Sequence, residues 1–378
     1  MDRHGFLSGS AALAASLLVE GPALAASPQQ STAELVTFLK NQCSIHKVPS
    51  ASFAVLDGGR IYAGCTGMRS IEHVSPATTT TVYEACSNSK MIAAVVGVIL
   101  AQKGKVDLDG DLTSTLRALN IPAVRGAKPV TLRRLLGMSA GANVYGFGGY
   151  PENAALPNLT AILHGTRPAS NVPIKIIRPP GTKEAYSGGG YELARAVMER
   201  ATATPLDQLA SQYILKPLGM TRSSYIYPLA TGSGADNAFA YNAKEKPYPS
   251  GYRRYPELAA AGFWTTPTDF AMFGRALSDS YNGRSGALLS QHFAKQIFTN
   301  VDGFSYGIGA TVRNRNGIPA YCKSGVNAGF QCYFMLFPAQ GQAASIMTNS
   351  DNGSLVWAPF YQKVIADFGW PYFPNMAD

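Results

Sequence analysis

A serine followed three residues later by a lysine occurs twice in the chain, and the spacing can do chemistry when both side chains share one helix face. Ser44 and Lys47 end an early helical pattern, where the lysine is expected to reach solvent. Ser87 and Lys90 follow a short strand-like run and open residues 91–101, a stretch without any charged residue. A lysine drawn into such an apolar helix loses hydration, so its pKa falls and its neutral amine can accept the serine proton.

The alternative for this second pair is purely structural, with Ser87 capping the helix and Lys90 solvated in its first turn. The pair alone favours that alternative, because ordinary residue usage gives about one chance match in a chain of this length. As a nucleophile, Ser87 would gain from the free N–H groups of the helix start, which can stabilise a developing oxyanion. The choice between the two depends on the rest of the chain.

Two later motifs bear on that choice, Tyr186 and the Lys-Ser-Gly triplet at residues 323–325. Each alone has an ordinary explanation, as a buried tyrosine with a hydroxyl partner and as a strand end. Taken in order with Ser87 and Lys90, they resemble the three active-site motifs of the serine β-lactamases, penicillin-binding proteins and related esterases.

The resemblance covers nearly the whole chain after residue 25 and is closest to the class C β-lactamase and family VIII esterase branch. Connecting landmarks of that branch match residues 104–109, 131–136, 180–181, 216–220 and 261–266. The resemblance implies a β-lactamase/transpeptidase-like fold.

The same resemblance implies an acyl-enzyme mechanism in which Ser87, Lys90 and Tyr186 are catalytic. Tyr186, coupled to Lys90, would take the proton of Ser87 and later pass it to the leaving group. The N–H groups of Ser87 and Val326 would form the oxyanion hole. This chemistry needs no cofactor, and none is expected.

Lys323, Ser324 and Gly325 are expected to bind the substrate at the edge of the cleft. Lys323 would supply a positive charge, Ser324 a hydrogen bond, and Gly325 room for close approach. A lysine at this position favours a substrate with a nearby carboxylate. Gly188 stands where the family motif ends in an asparagine that contacts the acyl amide side, and this departure argues against strong β-lactamase activity.

The predicted function is a serine hydrolase of ester or amide bonds, with a broad esterase or D-amino-acid peptidase ahead of a dedicated β-lactamase. The substrates that the resemblance allows are short-chain esters, D-alanyl or other cell-wall peptides, and β-lactams. The alternative from another class is a penicillin-binding-type protein that is acylated without efficient turnover.

Apolar periodicity predicts an α+β fold in which an antiparallel sheet is flanked by helices. The predicted helices cover residues 31–42, 91–101, 191–200, 205–213 and 355–368. The predicted strands cover residues 51–56, 60–66, 306–312, 318–325, 329–337 and 343–349. Because strands come from both ends of the chain, the sheet domain is assigned to residues 26–105 and 253–378, with a mainly helical subdomain, 106–252, inserted.

Residues 1–25 have the pattern of an export signal peptide, in which Arg3 and His4 precede an apolar run and residues 23–25 form a cleavage site. A buried N-terminal helix is the alternative. No later segment has roughly twenty uninterrupted apolar residues, so no transmembrane anchor is expected after cleavage. The mature protein is expected in the periplasm or medium of a bacterium, by the general or the twin-arginine route.

The formal net charge of +9 is compatible with anionic polymers, cell-wall material or membrane surfaces. The chain has no dense Lys/Arg run and no nucleic-acid motif, so a solvated basic surface is preferred and no nucleic-acid partner is expected. Cell-wall association stays open.

The five cysteines are few for a disulfide scaffold. Cys322 and Cys332 fall opposite each other if their strands pair around residues 326–327, which leaves open one bridge or buried free thiols. No Cys/His spacing suggests zinc, so no metal is predicted, and His164 is assigned a structural role. The aromatic and glycine-rich residues 145–150 form either a substrate-contacting loop or a simple packed loop.

Overall fold

The computed structural model describes residues 28–225 and 236–371, so the predicted signal peptide lies outside the described residues. The strands are β1 (Ser50–Asp57), β2 (Arg60–Ser70), β3 (Ser75–Pro76), β4 (Tyr83–Glu84), β5 (Trp264–Thr265), β6 (Thr311–Arg315), β7 (Ile318–Asn327), β8 (Phe330–Phe337) and β9 (Gln342–Thr348). Seven of them form one antiparallel sheet in the order β3-β2-β1-β9-β8-β7-β6, and β4 pairs with β5.

Helices account for most of the remaining regular structure. They are α1 (Pro28–His46), α2 (Ser89–Gln102), α3 (Thr113–Ala118), α4 (Leu132–Leu136), α5 (Leu159–His164), α6 (Gly188–Thr202), α7 (Leu206–Ala210), α8 (Lys216–Leu218), α9 (Leu258–Ala261), α10 (Pro267–Tyr281), α11 (Gln291–Ile297) and α12 (Ser354–Phe368). Short 3₁₀ turns cover Cys86–Asn88, Pro249–Gly251 and Val301–Gly303, and one π turn covers Ser211–Leu215. No described helix is both long and apolar enough to cross a membrane.

The central sheet joins the two ends of the chain. β1 pairs with β2 through a tight turn and with β9 through partners such as Ala51 and Thr348. The predicted α+β architecture, with an antiparallel sheet flanked by helices, is therefore confirmed. The exact division into 26–105, 253–378 and 106–252 stays a prediction.

Both faces are buried at the centre of the sheet, which β8 shows most clearly because all eight of its residues are buried. Side chains on a strand alternate between faces, and here Phe330 and Phe334 join the core that contains α2, whereas Tyr333 and Met335 join the core under α1 and α12. The α2 core continues into the helices of the inserted region and lies beneath the cleft described below.

The strand predicted over residues 306–312 is wrong over residues 306–310. β6 begins only at Thr311, and Tyr306 makes a single isolated bridge to Thr311. Gly309 has a φ of 101°, which is outside the extended region. The chain therefore bends at this glycine, and Ile308 N–H bonds to the Ile297 carbonyl instead of a strand neighbour.

The register expected for the two late cysteines is also wrong. The hairpin turns at residues 328–329, so Cys322 lies opposite Met335 and Cys332 lies opposite Gly325. The two thiols point into different cores on opposite faces of the sheet. They cannot form a bridge in this fold, and all five cysteines are free thiols.

Candidate active site

Ser87 lies in a sharp turn between β4 and α2. The preceding residue, Cys86, has a φ of 51°, which is uncommon for a residue other than glycine. The turn is held from both sides, since Ala85 N–H bonds to the Phe263 carbonyl at 2.8 Å and Phe263 N–H bonds to Ser89 Oγ at 2.9 Å. This turn leaves the Ser87 side chain partly exposed, whereas its immediate neighbours are buried.

Three side chains that are far apart in the sequence meet at Ser87. The Tyr186 hydroxyl donates a hydrogen bond to Ser87 Oγ at 2.7 Å. Lys90 Nζ lies 3.3 Å from the same oxygen and donates to the Ala260 carbonyl at 2.7 Å. The structure thus brings together the three residues predicted to be catalytic, whereas Ser44 and Lys47 lie exposed at the end of α1.

The surroundings of Lys90 favour its neutral form. The side chain is only 2% exposed, and burial holds its pKa well below the usual value of 10.5. The positive charge of Lys323 lowers this pKa further, while the charges of Glu192 and Cys86 act in the opposite direction. A neutral amine beside Ser87 Oγ can accept the hydroxyl proton.

Glu192 and Ala260 form a second layer behind Lys90 that sequence reasoning missed. Ala260 accepts from Lys90 through its carbonyl and donates through its N–H to Glu192 Oε1 at 3.0 Å. The other oxygen, Oε2, lies 3.2 Å from Arg195 Nη1. Burial raises the pKa of Glu192, and the Arg195 guanidinium opposes that rise. The one signal for Glu192 in the sequence is the presence of a carboxylate on the apolar face of the helix predicted over residues 191–200.

Lys323 lines the cleft together with Tyr306 and is only 5% exposed. Its Nζ is 3.4 Å from the Tyr306 hydroxyl and 4.7 Å from the centre of the Tyr186 ring. Lys90 Nζ lies 4.9 Å from the same ring centre. The amino groups of both lysines therefore lie against the ring of the tyrosine that contacts Ser87, and Lys323 gives the site a positive character.

β7 extends past its neighbour β6 at the cleft. The β6 pairing ends at Cys322, so on that side the stretch from Lys323 to Asn327 has no strand partner within the described residues. Ser324, Val326 and Asn327 line the cleft together with Ser87. Val326, whose N–H is predicted to be part of the oxyanion hole, belongs to this stretch, and that role stays a prediction.

Gly325 has a different reason for being glycine than the predicted one. An added Cβ would lie 2.6 Å from Cys332 Sγ and 2.8 Å from the Ala85 carbonyl oxygen. The residue does not itself line the cleft. Its missing side chain allows β7 to pack against the turn that carries Ser87.

The cleft around Ser87 has a volume of about 1210 Å³ and two unlike walls. One wall is polar and cationic and includes Thr311, Arg313 and Lys323. The other wall consists of residues 144–148 with Asn171 and Val172. The glycine-rich loop that sequence analysis left open between two roles therefore contacts the cleft.

Gly188, at the start of α6, fits this loop. Its N–H donates to the Tyr145 carbonyl at 2.9 Å, and an added Cβ would lie 3.0 Å from a ring carbon of Phe147. The Tyr145 ring packs on Tyr186, with ring centres 4.9 Å apart. The loop thus occupies the space beside Tyr186 where a side chain at position 188 would lie.

No group of three or more metal-ligating side chains occurs within residues 28–225 and 236–371. His164 ends α5 and does not line the cleft.

The antiparallel sheet flanked by helices, with a serine at the head of a buried helix, places the protein in the β-lactamase/transpeptidase-like class. Residues 30–358 match the model of the β-lactamase family, and the chain belongs to that family. Membership supports an acyl-enzyme serine hydrolase in general terms.

The relatives of the chain are distant in sequence. Penicillin-binding protein 4 of Amycolatopsis lactamdurans is 20% identical over 344 residues, which cover 88% of each chain. Protein flp of Staphylococcus aureus is matched over only 38% of its own length, and a putative D-alanyl-D-alanine carboxypeptidase of Salmonella paratyphi A over only 39%. Among solved structures, the octameric penicillin-binding protein homologue from Pyrococcus abyssi has a TM-score of 0.72 and 22% identity, covering 89% of this chain and 77% of the other.

A class C β-lactamase is similar over a still larger share of its length. Its TM-score is 0.73 at 17% identity, and the match covers 91% of this chain and 98% of the other. At such identities the likeness shows the fold alone.

Proposed function

We propose that the protein is an exported serine hydrolase that forms an acyl-enzyme on Ser87 and cleaves ester or amide bonds. The observation that carries the proposal is the convergence on Ser87 Oγ of the Tyr186 hydroxyl, at 2.7 Å, and Lys90 Nζ, at 3.3 Å. These are the distances over which a proton can be moved to or from a nucleophile.

In the acylation step, Ser87 Oγ attacks the substrate carbonyl carbon while its proton passes to the Tyr186 and Lys90 pair. The new bond joins Oγ to carbon, and the carbonyl oxygen becomes an oxyanion. The N–H groups of Ser87 and Val326 stabilise this oxyanion. Collapse of the intermediate breaks the bond to the leaving group, which takes the proton from Tyr186.

In the second step, water attacks the acylated serine, and the same pair takes one of its protons. The acid product leaves when the bond to Oγ breaks and Ser87 regains its proton. No redox step occurs, and the serine, lysine and tyrosine end in their starting forms. The mechanism accounts for all three side chains that meet at the cleft.

The substrate class is argued from the two walls of the cleft. Lys323 and Arg313 on one wall suit a substrate that carries a carboxylate near its leaving group, as a D-alanyl peptide or a β-lactam does. Gly188 offers no amide group for the acyl side. A broad esterase or peptidase-like activity is therefore placed ahead of a dedicated β-lactamase.

A second candidate is a protein that is acylated but deacylates slowly. The relative named penicillin-binding protein 4, aligned over 88% of each chain, favours it. In such a protein the acylation of Ser87 is unchanged, and the hydrolysis of the acyl-enzyme is slow.

The test uses the mature chain with 4-nitrophenyl acetate and a chromogenic cephalosporin. Steady Ser87-dependent turnover supports the hydrolase, and a burst of one equivalent supports the slow-deacylating protein. Ser87→Ala should abolish both, whereas Ser44→Ala, in the matching tetrad at the end of α1, should keep wild-type rates. Peptide mass spectrometry after quenching should place the acyl group on Ser87; full turnover in Ser87→Ala would refute the mechanism.

A further inference from the structure

Glu84 is a buried acid close to Ser87 that the proposed mechanism does not use. It lies on β4, three residues before Ser87, and is only 1% exposed. We infer that Glu84 is a positioning residue for acyl transfer, which acts through Asn327 to hold the end of β7 beside the turn that carries Ser87. The inference rests on the proposed function, because it concerns the rate of the reaction at Ser87.

The contact between Glu84 and Asn327 is a buried pair of side chains. Oε2 of Glu84 accepts a hydrogen bond from Asn327 Nδ2 at 2.5 Å. Asn327 ends β7 and directly follows Val326, whose N–H belongs to the proposed oxyanion hole. Asn327 also lines the cleft around Ser87. The pair therefore joins the strand that leads into Ser87 to the strand that borders the cleft.

The Asn327 side chain also contacts a third segment of the chain. Its Nδ2 donates a second hydrogen bond to the Ala261 carbonyl at 3.2 Å. Because a carbonyl can only accept, this bond fixes the direction in which the amide group faces. Ala261 follows Ala260, whose carbonyl accepts from Lys90 Nζ at 2.7 Å. One amide group thus ties together β4, β7 and α9, which meet at the cleft.

Few other contacts hold the end of β7 on its outer side. On the side of β6, the stretch from Lys323 to Asn327 has no strand partner within the described part of the chain. The next residue, Ala328, donates its N–H to the Tyr255 hydroxyl at 3.1 Å. Side-chain contacts therefore replace a strand ladder here. Loss of the Glu84 acceptor should allow the end of β7 to shift relative to Ser87.

The stability of the fold alone does not account for an acid at position 84. The second oxygen of Glu84, Oε1, has no hydrogen-bond partner among residues 28–225 and 236–371. An unpaired polar atom in a core costs free energy. Burial raises the pKa of Glu84 well above 4.5, and the hydrogen bond from Asn327 opposes that rise. Burial therefore favours the neutral acid, whose remaining contact is the one to Asn327.

The test measures kcat and KM for 4-nitrophenyl acetate, with rates divided by the concentration of Ser87 that a fluorophosphonate label can acylate or phosphorylate, counted by intact mass. Glu84→Met removes the acceptor and should lower kcat by about 10- to 100-fold, as a small displacement near a reacting group does. KM should stay within about threefold. Glu84→Gln keeps an oxygen that can accept from Asn327 and should restore kcat to within about threefold of the wild type.

A double variant, Glu84→Met with Asn327→Leu, separates positioning from stability. Removing both partners of a buried hydrogen bond costs little stability, because neither is left unpaired. The double variant should therefore resist urea better than Glu84→Met does, whereas its kcat should stay equally low. Recovery of wild-type kcat together with stability would show a merely structural role and overturn the inference. The double variant also decides the question if Glu84→Met does not fold.

Asp57 provides the matched control, because it is a carboxylate that accepts from the side chains of Gln342 and Trp370 and does not line the cleft. Asp57→Leu should lower the free energy of unfolding and leave kcat per labelled Ser87 within about twofold of the wild type. A kcat as low as that of Glu84→Met in this control would overturn the inference, since any loss of stability would then have the same effect.

The remaining outcomes separate this inference from the proposed function. Wild-type kcat in folded Glu84→Met, or a Glu84→Gln variant as slow as Glu84→Met, would overturn the positioning role and leave the hydrolase intact. A wild-type protein that neither hydrolyses the ester nor is labelled at Ser87 would overturn the hydrolase and the positioning role together.

Discussion

In the proposed mechanism, Lys90 combines a functional role with a cost in stability. Its amine must be neutral to accept a proton from Ser87, and burial provides this by holding its pKa well below 10.5. The same burial opposes folding wherever the unfolded chain would carry a protonated lysine. Activity and stability therefore respond in opposite directions to this one side chain.

Lys90→Met should lower kcat/KM by about 10²- to 10⁴-fold, the usual contribution of a general base. The variant should also be more stable than the wild type. A lysine with a depressed folded-state pKa binds fewer protons folded than unfolded, so wild-type stability falls as the pH drops from about 10.5 toward that lowered pKa.

The measurement is the free energy of unfolding by urea at several pH values within that window. The advantage of Lys90→Met should grow as the pH falls. Lys103→Met, near the end of the same helix, controls for the loss of any lysine. An advantage that did not change with pH would contradict the linkage to Lys90.

At the scale of elements, the position of Ser87 depends on how β7 packs against the turn at Cys86. Gly325 allows this approach, since a Cβ there would lie 2.8 Å from the Ala85 carbonyl oxygen. The carbonyl is part of the backbone and cannot rotate away as a flexible side chain could. The spacing between β7 and the Ser87 turn is thus set by one missing methyl group.

Gly325→Ala should destabilise the protein by about 1–3 kcal/mol, as overpacking usually does. It should also lower kcat, because the strand moves away from Ser87. Urea unfolding and ester hydrolysis measure the two effects. Gly148→Ala is a suitable stability control, since its added methyl group meets no atom within 4 Å; equal stability of the two variants would refute the packing argument.

The elements that sequence reasoning predicted well are those with a strong local signal. The uncharged run after Lys90 predicted α2, and late β-rich runs predicted β7, β8 and β9. The hairpin register was missed because β7 and β8 are buried on both faces, so their apolar residues do not show which face is which. The turn at residues 328–329, and with it the partner of Cys332, follows from tertiary packing.

The site residues also divide into those that the sequence could predict and those that depend on tertiary contacts. Ser87, Lys90 and Tyr186 could be proposed from the order of their motifs, and the structure brings them together. Glu192 and the wall at residues 144–148 could not be placed, because their roles depend on contacts between distant segments. A buried carboxylate such as Glu192, which accepts a hydrogen bond from one peptide N–H, gives almost no recognisable signal in a single sequence.

At the scale of the molecule, the sheet separates two hydrophobic cores that have different structural roles. The core under α1 and α12 supports the fold, and the core containing α2 lies beneath the cleft. Phe360 of α12 belongs to the first and packs on Phe53, with ring centres 5.4 Å apart. A change there should affect stability without affecting the chemistry.

Phe360→Ala should lower the free energy of unfolding by about 3–5 kcal/mol. The kcat/KM of the folded protein should stay within about twofold of the wild type, measured well below the unfolding midpoint. A large loss of kcat/KM in folded Phe360→Ala would show that the two cores are coupled.

The joining of β1 to β9 also determines when the protein can fold. Ser50 N–H bonds to the Asn349 side chain across 299 positions, so the inner edge of β1 stays unpaired until β9 has been synthesised. Contacts so distant in sequence form late, and until then the unpaired edge of β1 can pair with other chains. A chain that lacks β9 should therefore be prone to aggregation.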